Sequence, residues 1–272
     1  MGAHQLPWLS SSLIISTYNW PDALTLCLKS VLNQRTLPSE ILICDDGSTA
    51  ETAAVIASFK KKFNIPVLHI WQADKGFRLA QIRNKGIAAA TSQYIIQIDG
   101  DLILNKHFIE DHIAFAKAGY FTTGSRVLLS EEISKLLVTE QSIDIPKNGA
   151  SKNPINGWHL AALQPLFAGR YKQTGRNKYY VKGCNMAFWK KDLLLVNGYN
   201  EDFTGWGKED SEIAIRLLNG GIKKRFLKFG GIAYHQYHKE VSRQLEERNV
   251  ILMEQSISNK MVYANNGLDK YI

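Results

Sequence analysis

Apolar residues fall along the first hundred positions in short unbroken runs, each followed by a polar cluster and then by apolar positions at helical spacing. Residues 12–16 (SLIIS) form the first run and meet Thr17, Tyr18 and Asn19 before Pro21. Proline suits the first turn of a helix, and Leu24, Leu28, Val31 and Leu32 then recur at helical spacing, which predicts a strand, a polar turn and a helix. Residues 40–44 (EILIC) predict a second strand ending in Asp45, Asp46, Gly47 and Ser48. Ser48 with Glu51 matches a capping box, opening a helix to about residue 62. Residues 67–71 predict a third strand and residues 79–90 a helix. The central run, YIIQIDGDLIL at residues 94–104, has strand length and carries Asp99 and Asp101 at its C-terminal end.

Four strand-helix alternations predict an α/β fold built on a parallel sheet with helical crossovers. In such sheets ligands collect at the carboxyl ends of the strands, where Ser16, Thr17, Asp45, Asp46, Asp99 and Asp101 all fall. A pair of carboxylates separated by one glycine suits a hard divalent cation; the competing reading is Asp-Gly turn chemistry. Neither a G-x-G-x-x-G after the first strand nor a G-x-x-x-x-G-K-[ST] is present, so both glycine-cradle routes to phosphate are missing. A diphosphate would then need a metal ion with Arg or Lys. Arg78, Arg83 and Lys85 lie just ahead of the central strand and are the candidates.

Residues 106–118 predict a helix and residues 120–123 a short strand. Residues 131–178 show no clean period and hold Pro146, Pro154, Pro165, Trp158, Phe167 and Tyr171. They predict an irregular, acceptor-facing surface, with a plain loop as the alternative. Order returns in YVKGCNMAFWKKDLLLVNGYNEDFTGWGKEDSEIAIRLLNGG from Tyr180 onward. Ile213, Ile215, Leu217 and Leu218 indicate a helix, placing Glu209 and Asp210 at its N-terminus, where the helix dipole favours carboxylates. Tyr199, Phe203 and Trp206 flank them on a glycine-punctuated loop, as flat rings that pack against a sugar do. His235 and His238 follow a strand-like run, and residues 240–258 read as a helix covering the core.

Composition narrows the class. At 272 residues, 45% hydrophobic and 21% charged, the chain reads as a soluble globular protein. Its net charge of +8 favours a polyanionic partner. Cys27, Cys44 and Cys184 lie far apart without a C-x-x-C, which argues against a disulfide framework or zinc knuckle and for a reducing compartment. No basic leader or apolar span is visible, so a cytoplasmic location is expected.

The segments SLIISTYNW, EILICDDGS, GFRLAQIRNKG and IDGD, in this order, resemble the nucleotide-binding half of inverting family 2 glycosyltransferases of the GT-A fold, in the branch containing chondroitin polymerase. The later W-G-x-E-D segment resembles the loop of the β-1,4-galactosyltransferases. The resemblance implies a single GT-A domain over residues 1–272, with a nucleotide-binding half at 10–105, an acceptor-binding half at 106–238 and a C-terminal helical extension at 239–272. It implies that Ser16 and Thr17 lie near the base, that Asp46 or its neighbour Asp45 bonds uracil, and that Asp99 holds the ribose. Asp101 and His235 would hold Mn²⁺ or Mg²⁺, with His238 as the fallback. Asp210 would be the general base, Glu209 would bond the acceptor, and Gly183, Cys184 and Asn185 would lie on a strand beside the donor sugar. Lys208 stands where that loop has its second Gly, and Ser211 where a third acid is frequent, which leaves the acceptor open.

The expected activity is therefore metal-dependent transfer of a hexose or N-acetylhexosamine from a UDP-sugar to a glycan or lipid-linked glycan, in synthesis of a bacterial surface polysaccharide or lipopolysaccharide. The net charge gives such a protein a use at an anionic inner membrane. Two other classes compete. A sugar nucleotidyltransferase would carry a Gly-rich basic loop after the first strand, which STYNWPDA lacks. The other is a non-catalytic basic module that binds carbohydrate or nucleic acid; for nucleic acid it would interleave Lys and Arg with aromatics on one face, whereas the basic residues read as scattered along the chain.

Overall fold

Each of the four early apolar runs becomes a strand of one sheet. The computed structural model describes residues 9–239 and 243–272; residues 1–8, and residues 240–242 at the start of the expected C-terminal helix, lie outside the described residues. Strands β1 (Ser11–Thr17), β2 (Glu40–Asp45), β3 (Val67–Trp71) and β4 (Tyr94–Asp99) pair in parallel in the order β3-β2-β1-β4. Helices α1 (Pro21–Leu32), α2 (Ala50–Lys60) and α3 (Leu79–Ala89) connect them. β1 and β2 are buried along their whole length, as strands covered by helices on both faces must be. Leu13 and Ile15 face a core formed with Leu24, Leu28 and Phe59; Ile14 and Leu42 face Ile82, Ile87 and Leu217 on the other side.

After the Asp-Gly-Asp turn the chain makes β5 (Leu102–Leu104), α4 (Phe108–Phe115), β6 (Tyr120–Thr123), β7 (Val127–Leu129), α5 (Glu131–Glu140), β8 (Ala150–Lys152) and α6 (Gln164–Ala168). It continues with β9 (Asn185–Trp189), α7 (Lys190–Leu195), α8 (Glu209–Asn219), β10 (Lys223–Phe226), β11 (Ala233–His235) and α9 (Glu246–Ser258). β9 runs antiparallel beside β4, extending the sheet through β6 to β10. A second sheet, in the order β5-β11-β7-β8, stands beside it.

Two expectations are corrected. The capping box at Ser48 does not form: its hydroxyl accepts the Asn19 N–H at 2.8 Å, its own N–H is held by Asp45, and α2 begins after Thr49. The interval 131–178 is less irregular than its sequence suggests, because α5 opens it. Ser130 caps that helix, its hydroxyl accepting the Ile133 N–H at 3.2 Å, and Leu137 is buried. The C-terminal residues do cover the core. α9 lies on α8 through Ser256, whose hydroxyl donates to Glu212 at 2.9 Å, and Tyr271 bonds Gln81 on α3.

Candidate active site

Register brings the candidate groups level. Ser16 of β1 stands opposite Asp99 of β4, and Thr17 opposite Asp45 of β2, so three adjacent parallel strands end side by side where the strand order reverses. Of the two acids after β2, Asp45 turns inward: it pairs with His69 at 3.0 Å and accepts the Ser48 N–H at 2.8 Å. Burial raises its carboxyl, but these bonds outweigh that and hold it below its ordinary value. Asp46 accepts from Gln72 at 2.6 Å and from the Arg78 backbone N–H at 2.7 Å. Its carboxyl is raised, mainly by burial.

Arg83 is the hub of the site. Its Nη2 donates to Asp99 at 2.9 Å, its Nη1 to Asp210 at 2.9 Å and its Nε to Ser16 at 3.2 Å. The guanidinium is 1% exposed. It thus ties the end of β4 to the start of α8, some hundred residues later in the chain, and its charge stays fixed in spite of burial because Asp210, Tyr199, Asp99 and Glu209 surround it. The next residue bridges the same two halves. Asn84 donates to the Tyr199 carbonyl at 2.8 Å and to Glu201 at 2.9 Å, and accepts the Tyr199 N–H at 2.8 Å. Gly198, at φ +61°, leaves room for the Asn84 side chain. α3 therefore clamps both halves of the chain together.

Glu209 and Asp210 open α8 as expected, after Lys208 at φ +77°. Asp210 is 21% exposed and also accepts the Tyr199 hydroxyl at 3.2 Å. Burial raises its carboxyl, opposed by Arg83. Glu209 has an oxygen with no hydrogen-bond partner, and burial together with the Asp210 charge pushes its carboxyl up to about 8. It therefore holds its proton to higher pH than a free glutamate does. Because the native state holds this proton while the unfolded chain releases it near 4.5, stability contributed at low pH is lost as pH rises from about 4.5 to about 8. Glu209→Gln is expected to raise the melting temperature over the parent more at pH 9 than at pH 5. Equal shifts at the two pH values would contradict that assignment.

Gly183 is required by Asp210: a β-carbon there would collide with the carboxylate. Its carbonyl accepts from Gln97 at 2.9 Å, and Gln97 in turn accepts the Tyr199 hydroxyl at 2.9 Å. Asn185 opens β9 with its side chain turned inward. It is 0% exposed, bonds His112 at 2.9 Å, and donates to the carbonyls of Ser125 and Gly231, both at 2.8 Å. Asn185 lies on a strand, as expected, and these bonds pin the start of β9. Cys184 is buried as well, next to Arg126. Arg78 bonds Gln81 at 2.7 Å and the Ala73 carbonyl. Trp206 is 37% exposed with the Arg243 guanidinium 4.7 Å over its ring.

β11 pairs antiparallel with β5, setting His235 opposite Leu102 and hence beside Asp101. Asp101 Oδ2 lies 3.3 Å from His235 Nε2 and 3.4 Å from His238 Nε2. These three are the group of metal-ligating side chains found among the described residues. Asp101 Oδ1 is buried without a hydrogen-bond partner, a costly state for a carboxylate oxygen. Burial lowers His235, keeping it a neutral ligand. The unmet oxygen and two imidazoles fit a divalent ion such as Mn²⁺, and His238 lies as close to Asp101 as His235 does.

Gln97 and Arg126 escape a reading by motif, and the sugar-packing role expected of Tyr199 and Phe203 is corrected: both rings are buried, and Tyr199 with Gln97 orients Asp210. Arg126 lies within electrostatic reach of Asp101 and Asp99 and donates to Cys184 Sγ at 3.5 Å. The sequence signal for Tyr199 is its place ahead of the acidic pair; Arg126 stands on a connecting segment with no periodic signal.

Comparison with known proteins agrees with this geometry. Residues 166–239 match the N-terminal domain of galactosyltransferase. The chain is 28% identical over 240 residues to the chondroitin synthase of Escherichia coli, covering 83% of this chain and 34% of that protein. It is 27% identical over 228 residues to the validoxylamine A glucosyltransferase of Streptomyces hygroscopicus subsp. limoneus, covering 78% and 48%. It thus spans a third to a half of the length of these relatives. The S. aureus TarS structure shares the fold with a TM-score of 0.66 at 17% identity, over 97% of this chain and 41% of that one. Residues 12–191, most of the chain and the ends of β1, β2 and β4, match the glycosyl transferase family 2 profile, and the protein is a GT-A-fold glycosyltransferase belonging to that family.

Proposed function

We propose that the chain is an inverting, divalent-metal-dependent transferase that moves a hexose or N-acetylhexosamine from a UDP-sugar to a glycan hydroxyl. The observation that carries this reading is the convergence of Asp99 and Asp210 on one buried arginine, with the Asp101, His235 and His238 cluster one turn beyond Asp99. Ser16, Thr17 and Asp46 line the ends of β1 and β2 for the base, with Asp99 for the ribose. Solved neighbours lend support: TarS has been crystallised in complex with UDP and with UDP-GlcNAc, and a Pyrobaculum calidifontis mannosyltransferase in complex with GDP-Man and Mn²⁺.

Asp210 takes the proton of the acceptor hydroxyl as that oxygen attacks the anomeric carbon from the face opposite the departing UDP. A positioned base of this kind contributes roughly 10²- to 10⁴-fold in rate. Glu209 bonds the acceptor, and Trp206 offers it an apolar face. Arg83 holds Asp210 and Asp99 at a fixed separation, so Arg126 replaces it as the cation available to the diphosphate. When bound, the metal supplies positive charge against the leaving group. The ligand assignment predicts that Asp101→Ala abolishes Mn²⁺ binding seen by electron paramagnetic resonance and removes the Mn²⁺-dependent part of UDP affinity. Full Mn²⁺ affinity in that variant would contradict it.

A lipid-linked acceptor at the cytoplasmic face of an anionic membrane fits the surface. Ile155, Trp158, Leu160, Leu163 and Leu166 are exposed within one short stretch, close in sequence to exposed Lys147, Lys152 and Arg170, a pairing suited to a lipid interface. Trp158→Ser with Leu166→Ser is expected to reduce sedimentation with anionic vesicles at least fivefold; sedimentation equal to the parent's would count against it. No helix among the described residues is long and apolar enough to cross a membrane.

A further inference from the structure

The positive charge of this chain is not scattered, as its sequence first suggests. Residues 145–191 hold nine Lys and Arg and no Asp or Glu, more than the +8 net charge of the whole protein. Part of that charge is gathered on aromatic rings next to the candidate base. Lys172 Nζ lies 3.7 Å from the centre of the Tyr180 ring, and Lys182 Nζ lies 5.2 Å from the same ring. Lys172 is also 5.3 Å from the Tyr171 ring, which Lys228 approaches to 5.6 Å. Lys224 braces the platform from behind, donating to the carbonyls of Asn177, Lys178 and Tyr180 at 2.9, 2.8 and 3.1 Å.

Among the described residues none of these ammonium groups forms an ion pair, although Lys182 feels the Asp210 charge. The lysine ion pairs there belong to Lys135, Lys208 and Lys270. Lys228 bonds Asn156, and the Lys172 and Lys182 ammonium groups lie on the Tyr180 ring. Burial holds both below their ordinary value and their neighbouring cations lower them further, opposed at Lys182 by the Asp210 charge. Two half-buried like charges on one ring are unfavourable until an anion lies between them. The row begins at the reacting centre, since Lys182 precedes Gly183, on which the Asp210 carboxylate packs. It then runs away from Asp210 through Tyr180 and Lys172 to Tyr171 and Lys228. A neutral sugar chain would need the rings and not the charges; a row of unpaired cations on rings suits a chain that brings its own oxyanions.

We propose that Lys172, Lys182 and Lys228, on the rings of Tyr171 and Tyr180, form an acceptor subsite for an oxyanion, and that the acceptor is an acidic glycan bearing uronate or phosphodiester groups. This rests on the reading of the protein as a transferase with Asp210 as its base.

The test is a calorimetric titration of the full chain, with and without UDP and Mn²⁺, using three probes: a chondroitin hexasaccharide, the same hexasaccharide with its carboxylates reduced to alcohols, and a glycerol phosphate oligomer. At least one acidic probe should bind tenfold or more tightly than the neutral one, and which one does so separates uronate from phosphodiester. Lys172→Gln and Lys182→Gln should each weaken that acidic probe at least fivefold and leave UDP affinity within twofold. Lys172→Arg and Lys182→Arg should keep most of the acidic binding, which separates lost charge from lost folding. Equal binding of the acidic and neutral probes overturns the subsite, as does a loss in the Gln variants that falls on UDP instead. Failure of UDP to bind the parent chain would contradict the donor reading, and the titrations without UDP still decide the subsite.

Discussion

Asp210→Asn should lower kcat by about 10²- to 10⁴-fold, the contribution of a positioned general base, while UDP affinity stays within about twofold because the change lies on the acceptor side. The amide keeps the shape of the carboxylate and can still accept from Arg83 and Tyr199, which now bond one oxygen of Asp210 at 2.9 and 3.2 Å. Packing on Gly183 is also preserved. The variant therefore loses a proton acceptor and little else. Near-normal turnover in steady-state assays of UDP release would remove Asp210 from the reaction. A parallel collapse of UDP binding would assign it to the donor pocket instead.

Arg83→Met should have the largest effect on stability. Removing one partner from a buried charge network leaves the others uncompensated, at about 3–5 kcal/mol when all are buried. Asp99 is 30% and Asp210 21% exposed, so water screens part of this and about 2–3 kcal/mol is expected. For a chain of this size that corresponds to a melting temperature lower by roughly 5–10 °C. The loss should shrink as pH falls. Burial already raises the Asp210 carboxyl, and without the guanidinium that opposes it the group takes up a proton more readily, removing the unpaired charge. A deficit of equal size at pH 5 and pH 8, measured by differential scanning calorimetry, would mean that Arg83 acts by packing alone.

The parallel half of the fold is legible because buried parallel strands are near-continuous apolar runs, and SLIIS, EILIC and YIIQI are of that kind. Topology alone places the acids at their ends along one edge. Which way each polar side chain turns is not written in the runs. Asp45 and Asp46 are adjacent and alike, yet Asp45 is taken by His69, a contact set by the register of β2 on β3. Arg83 reads in the sequence as a phosphate cation, but with Leu79, Gly86, Ile87 and Ala90 it falls on the inward face of α3, three to four residues apart. That spacing is the signal that places it inside. Asn185 enters through a resemblance, and its inward bond to His112 is visible only in the fold. The meeting of His235 with Asp101 depends on an antiparallel pairing between β5 and β11, strands of three residues each, too short to announce themselves by period. α5 is hidden because proline and glycine later in the same interval obscure a capped ten-residue helix at its start.

A structure with UDP and Mn²⁺ bound tests the account most directly. It predicts the ion on Asp101, His235 and His238, the uracil at the ends of β1 and β2 near Asp46, and the terminal phosphate between the ion and Arg126 with open space toward Asp210. Nucleotide bound elsewhere, such as in the hollow lined by Arg78, Glu201, Phe203 and Lys270, with no ion at Asp101, would contradict it.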